Sequence, residues 1–109
     1  MNYHFNQKTI IQLIHLLRGQ PFPLKEIRTE PDKGICRIPF DRIDEPNRDS
    51  YTLIIRNTVS CSINSEPNSE EEVFKELEYH PAEKELLFIT SHGKIRITVE
   101  KIDVSAIGS

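Results

Sequence analysis

Cys36, Cys61, His4, His15, His80 and His92 are the residues of this chain best suited to hold a metal or to serve as nucleophile and base. One element presents two metal ligands only when they stand a few positions apart, as in CxxC, HxH or HxxxH. No two of the six have such a spacing, so no metal and no cofactor is expected. Nucleophilic catalysis needs a serine or cysteine beside a base that a third group orients. The chain has no GxSxG or similar nucleophile elbow, and no catalytic residue is assigned. Both cysteines fall at apolar positions of alternating segments, so they are expected in the core as small hydrophobes with raised pKa.

The four glycines (Gly19, Gly34, Gly93 and Gly108) stand apart, which excludes a glycine-rich phosphate cradle. Residues 41–49 are rich in carboxylates but lack the central glycine and closing glutamate of a calcium loop. Asn57 interrupts an otherwise apolar strand face, where an unpartnered buried amide costs roughly 1–3 kcal/mol. It is expected either at a bulge or as a polar group in a pocket. His15, Tyr51 and Asn57 are therefore the candidate pocket residues. The acidic run Glu70-Glu71-Glu72, continued by Glu76 and Glu78, is the candidate surface for a basic partner, since complementary potentials speed association.

The 109 residues carry a net charge of −3, with a pI near 5.8. Residues 1–29 hold four basic groups and one acid, whereas residues 70–85 hold seven acids and two lysines. This gives a dipole but no basic stripe, so nucleic-acid binding is not expected. No run approaches the ~18 apolar residues of a membrane helix, and no export leader is read at the N-terminus. A cytoplasmic chain with reduced thiols is the expectation.

The elements that would position these residues follow from periodicity. Ile10, Leu13, Ile14 and Leu17 fall at i, i+3, i+4 and i+7, with Ile11 and Leu16 flanking, so residues 7 to about 18 predict an amphipathic helix. Asn6 is its N-cap and Gly19 its stop, with Pro21 and Pro23 preventing continuation. From there the period is two. Residues 24–29 and 35–40 flank the turn Pro31-Asp32-Lys33-Gly34, with Cys36, Ile38 and Phe40 on one face. Residues 51–63 alternate for longer than one strand usually runs, predicting a bend near Asn57. Residues 73–79 admit two readings, a short helix behind the capping-box spacing of Ser69-Glu70-Glu71-Glu72 or a strand with Val73, Lys75, Leu77 and Tyr79 in phase. The strand is favoured because turn formers at 80–84 lead into residues 86–89. Taking His92-Gly93 as a two-residue turn pairs Phe88 with Ile97 and Leu86 with Val99. Leu86-Leu87-Phe88-Ile89, apolar on both faces, predicts a covered central strand.

These pieces predict one α+β domain over residues 1–109: an N-terminal amphipathic helix packed on an antiparallel sheet of five or six strands, ending in a three-stranded meander, with residues 105–109 frayed. An apolar sheet face with one helix to cover it suggests an interface. The expected function is a small protein-interaction module that binds another protein or itself, most economically as a homodimer. The alternative is a small-molecule binder or minor enzyme with its pocket between helix and sheet.

Overall fold

A computed structural model describes residues 2–43, 49–65 and 71–108. The expected α+β arrangement of one helix on one sheet is not what forms. Strands take up 65% of the described residues and helix 14%, in two antiparallel sheets. The elements are β1 (Asn2–Asn6), α1 (Ile10–Leu17), β2 (Pro21–Pro23), β3 (Arg28–Glu30), β4 (Ile35–Arg42), β5 (Asp49–Ile55), β6 (Thr58–Ser65), β7 (Glu71–His80), β8 (Glu85–Thr90), β9 (Gly93–Val99) and β10 (Asp103–Gly108). The first sheet has the order β1-β10-β5-β4-β3 and the second β2-β7-β8-β9-β6. Residues 44–48, within the carboxylate-rich segment 41–49, and residues 66–70, which include Glu70 of the acidic run, lie outside the described residues.

The physical reason for the second sheet is visible at Asn57. The long alternation of residues 51–63 does break there, but into two strands that enter different sheets. Asn57 adopts φ +56, a left-handed conformation that asparagine tolerates better than most residues. Its carbonyl accepts the Glu100 amide at 2.9 Å, and the Arg56 amide donates to the Asp103 carbonyl at 2.9 Å. The chain thus passes between sheets twice at neighbouring places, once from β5 to β6 and once from β9 to β10. Replacing Asn57 by Ala is expected to cost about 1 kcal/mol and by Gly close to nothing, because the conformation penalises a Cβ. Urea unfolding midpoints of the two variants measure the difference.

Each sheet buries one face against the other, as in a sandwich. Cys36, Ile38, Phe40, Leu53, Ile55, Val104 and Ala106 of the first sheet meet Phe74, Leu77, Leu86, Phe88, Ile95, Ile97 and Val99 of the second. Aromatic rings bind the halves together: Tyr51 stacks on Phe40 at 5.6 Å, Phe40 meets Phe74 edge-on at 6.4 Å, and Phe74 stacks on Phe22 at 4.2 Å. β3 pairs only with residues 35–37 of β4, so Pro39, which has no amide to donate, lies where β4 is the margin of its sheet.

The helix is shorter than its pattern. Asn6 Oδ1 caps it by accepting the Lys8 amide at 2.8 Å, but the first turn, Gln7–Thr9, is a 3-10 helix. α1 lies against β1 of one sheet and β7 of the other, burying Leu13 and Leu17. It bridges the sheets instead of covering a sheet face, and Ile11 is left exposed. Gly19, at φ +82, turns the chain so that its amide reaches the Phe74 carbonyl at 2.7 Å.

Three further expectations are corrected. Residues 24–26 form a 3-10 helix, with β3 confined to Arg28–Glu30; Leu24 and Ile27 both pack on the core, a three-residue spacing that a strand cannot place on one face. The meander β7-β8-β9 is present but not terminal, and the tail expected to fray is β10, held between β1 and β5 with Val104 and Ala106 inward. The hairpin register differs by two residues: Phe88 pairs with Ile95 and Leu86 with Ile97. A two-residue shift keeps every side chain on its face, so alternation could not tell the two registers apart. No helix among the described residues is long and apolar enough to cross a membrane.

Candidate interaction edge

Two sheets have four margins, and three of them are blunted. β2 is Pro-Phe-Pro, β3 is three residues with Arg28 and Glu30, and β1 is five residues with His4 bound to Asp103 at 2.7 Å. β6 is the exception among the described residues. Its eight residues, Thr-Val-Ser-Cys-Ser-Ile-Asn-Ser, include no charge and no proline, and natural edges usually carry one or the other. Val59 is 61% exposed and Ile63 44% exposed. A bulge between Thr58 and Ser60 distorts the start of the strand. From Ser60 to Ser65 it pairs regularly with β9, ending with Ser65 opposite Gly93.

A buried acid holds the far end of this edge. Glu72 of β7 has no solvent exposure. Its carboxylate accepts the Thr90 hydroxyl at 2.7 Å, the Ser91 hydroxyl at 3.2 Å, the His92 amide at 3.1 Å and the His92 ring Nδ1 at 2.7 Å. These contacts converge on the two carboxylate oxygens from three consecutive residues, so Glu72 ties the segment 90–92 to β7 at several points. The Ser91 amide also donates to the Val73 carbonyl, at 3.0 Å. Together these bonds set residues 91–92 as the turn, which explains the register described above. His92 also borders an open groove of about 450 Å3, with Ser62, Asn64, Ser65, Lys94 and Arg96 around it.

Gly93 is the second fixed point. A Cβ built there would stand 2.2 Å from the Asn64 carbonyl oxygen and 2.6 Å from Ser65 Cα. β6 reaches its place only because that side chain is missing.

The residues singled out in the sequence are distributed otherwise. His15 is exposed on α1 beside a shallow groove that Tyr3, Phe5, Gln12, Leu16 and Arg42 share. Tyr51 is buried, its ring 6.2 Å from that of Tyr3. Those two are therefore neighbours around Tyr3, but Asn57 lies apart at the sheet crossing and is exposed. The expected space between helix and sheet is filled: Ile14, Leu17, Phe74, Leu77 and Phe88 leave no volume that a water molecule could enter. The acidic set also divides. Glu71, Glu76 and Glu78 are exposed, with Arg18 on Glu76 at 3.2 Å and His80 on Glu78 at 3.0 Å. Glu72 is interior, and Glu70 lies outside the described residues.

The sequence placed Glu72 on an acidic surface and did not pair it with His92, although one signal of its inward position existed. Glu72 precedes Phe74 by two, so a strand with Phe74 inward turns Glu72 inward too. The bulge between Phe74 and Glu76 hides this by reversing the phase, which makes Val73 look continuous with Leu77 and Tyr79. Compared with protein-family models, with curated proteins and with solved structures, the chain finds no match in any of the three.

Proposed function

We propose that the chain is a cytoplasmic protein-interaction module that pairs with a second copy of itself through β6, edge to edge and antiparallel. The observation carrying this reading is the long, uncharged margin of β6 beside three blunted ones. An antiparallel pairing about a twofold axis sets residue i of one strand opposite residue j of the other and j opposite i, so every charge on the strand would enter the seam twice. β6 has none. The same neutrality offers nothing to an acidic or basic partner, which favours a second copy. Pairing would extend the second sheet into a continuous sheet across two chains and shield Ile63.

Sedimentation equilibrium over a range of concentrations tests the reading, with Ile63→Lys as the variant. The wild type is expected to dimerise, and Ile63→Lys to weaken the dimer at least about tenfold, because each strand then brings an ammonium group to a seam that has no carboxylate to receive it. Its far-UV circular dichroism should remain that of the wild type, since Ile63 is already partly in water. A wild type that stays monomeric at every concentration, or a folded Ile63→Lys chain that dimerises undiminished, overturns the proposal.

A further inference from the structure

The chain has two cysteines, and the fold brings them together from different sheets. Cys36 lies in β4 between Thr29 of β3 and Ile55 of β5, with no solvent exposure. Cys61 lies in β6 opposite Ile97 of β9 and is partly exposed. β4 and β6 are not hydrogen-bonded neighbours, yet they come within 8 Å of each other, Cα to Cα. A bond from the Thr58 amide to the Gly34 carbonyl, at 2.9 Å, clasps the start of β6 to the turn leading into β4. Gly34 suits that clasp: it sits at φ +63, and a Cβ there would come 3.4 Å from the Thr58 carbonyl oxygen. Beyond the clasp the two thiols share a hydrogen bond.

The pair is asymmetric. Cys61 borders a small groove of about 140 Å3 with Thr29, Pro31, Ile35, Thr58, Val59 and Ser60 around it, whereas Cys36 stands behind it in the core. The hydrogen bond to Cys61, and then burial, push the Cys36 thiol far above the ordinary range. The hydrogen bond from Cys36 holds the Cys61 thiol below its ordinary value, against the opposing effect of burial. The expectation of two core thiols with raised pKa therefore describes Cys36 but not Cys61, which is partly exposed and shifted down. A sulfur reachable from a groove, with a second thiol buried close by, has the arrangement of an attacking and a resolving cysteine.

We propose that Cys61 is a site of oxidation by hydrogen peroxide and that Cys36 resolves it, closing a reversible disulfide that ties β6 to β4 across the two sheets. The Cys61 thiolate attacks one peroxide oxygen and the O–O bond breaks. The departing hydroxide takes the Cys36 proton and leaves as water, with Cys61 now a sulfenic acid. The Cys36 thiolate then attacks the Cys61 sulfur and the S–O bond breaks. The second hydroxide takes from solvent the proton that Cys61 released on ionising. Two thiols and one peroxide become one disulfide and two waters, with two electrons passing from sulfur to peroxide. A dithiol reductant reverses the change by thiol–disulfide exchange.

The experiment treats the full chain with hydrogen peroxide and reads intact mass and thiol titre after denaturation. The Ile63→Lys chain is run in parallel, so that the result does not depend on pairing through β6. The expected result is loss of about two mass units and of both thiols within one chain, restored by dithiothreitol. In Cys36→Ser, a sulfenic-acid trap should label Cys61 and no mass loss should occur. In Cys61→Ser, Cys36 should stay unmodified under the same treatment. Circular dichroism checks that both variants are folded. Should either variant unfold, the order of labelling of the native wild type by a thiol reagent decides, with Cys61 first. Two thiols that survive peroxide in the folded wild type, labelling of Cys36 before Cys61, or a disulfide between chains instead of within one overturns the proposal.

Discussion

Glu72→Ala is expected to lower the unfolding free energy by about 3–5 kcal/mol, from the loss of one fully buried carboxylate and the donors it satisfies. The Thr90 hydroxyl it accepts is itself buried, and the Ser91 hydroxyl, the His92 amide and the His92 ring bond to the same carboxylate. Each donor stranded away from water costs roughly 1–3 kcal/mol, and truncation also leaves a cavity. A domain of this size is stable by only about 5–15 kcal/mol, so the change consumes a large part of the total. Glu72→Gln separates the contributions. It keeps the volume and one acceptor oxygen but aims an NH2 group at donors, so a smaller loss is expected. Urea unfolding gives the free energies, and hydrogen exchange gives their location: the Ser91 and His92 amides should exchange faster in both variants. A loss below about 1 kcal/mol for Glu72→Ala would mean that something else holds this turn.

Gly93→Ala should cost about 3 kcal/mol and loosen β6 from β9. The obstruction is backbone: the new methyl would meet the Asn64 carbonyl and Ser65 Cα, neither of which can rotate aside as a side chain would. β6 must move, and the last pairings with β9 move with it. Gly19→Ala is the instructive contrast. Gly19 has φ +82 but no atom within 4 Å of the added methyl, so only the backbone term remains, about 1 kcal/mol. Thermal unfolding of the two variants should therefore rank them with Gly93→Ala lower. Gly93→Ala should also weaken self-association, because the seam proposed for the dimer is the strand it displaces. Equal melting temperatures for the two glycine variants would show that β6 yields without cost and that its position is not set by Gly93.

The proposed edge was only partly readable. That residues 58–63 are extended could be seen, and so could the inward placing of Cys36, Ile38 and Phe40 and the favoured strand over 73–79. That β6 is a margin could not, because a margin is defined by the absence of a neighbour, and neighbours are tens of residues away. Alternation alone puts Val59 and Ile63 in phase with Cys61, which was expected in the core, whereas Val59 is mostly and Ile63 partly open to water. Glu72 looked like one acid in a solvated run, since its partners stand 18 to 20 residues along the chain.

Periodicity is a local property, and it settled local matters. It established the apolar stripe of α1, the side on which each strand residue of 35–40 points, and the covered character of Leu86-Leu87-Phe88-Ile89. It could not say which apolar face meets which. Residues 51–63 have the same alternation whether they lie in one sheet or turn at Asn57 into two, and the β8–β9 hairpin has the same facing in either of two registers. Those choices rest on long-range bonds: Glu100 to the Asn57 carbonyl, Glu72 to residues 90–92, and the close approach of Asn64 to Gly93. A strand's pattern specifies its buried side, but its partner is chosen by the packing and hydrogen bonding of the whole chain, which is why two sheets formed where one helix and one sheet were expected.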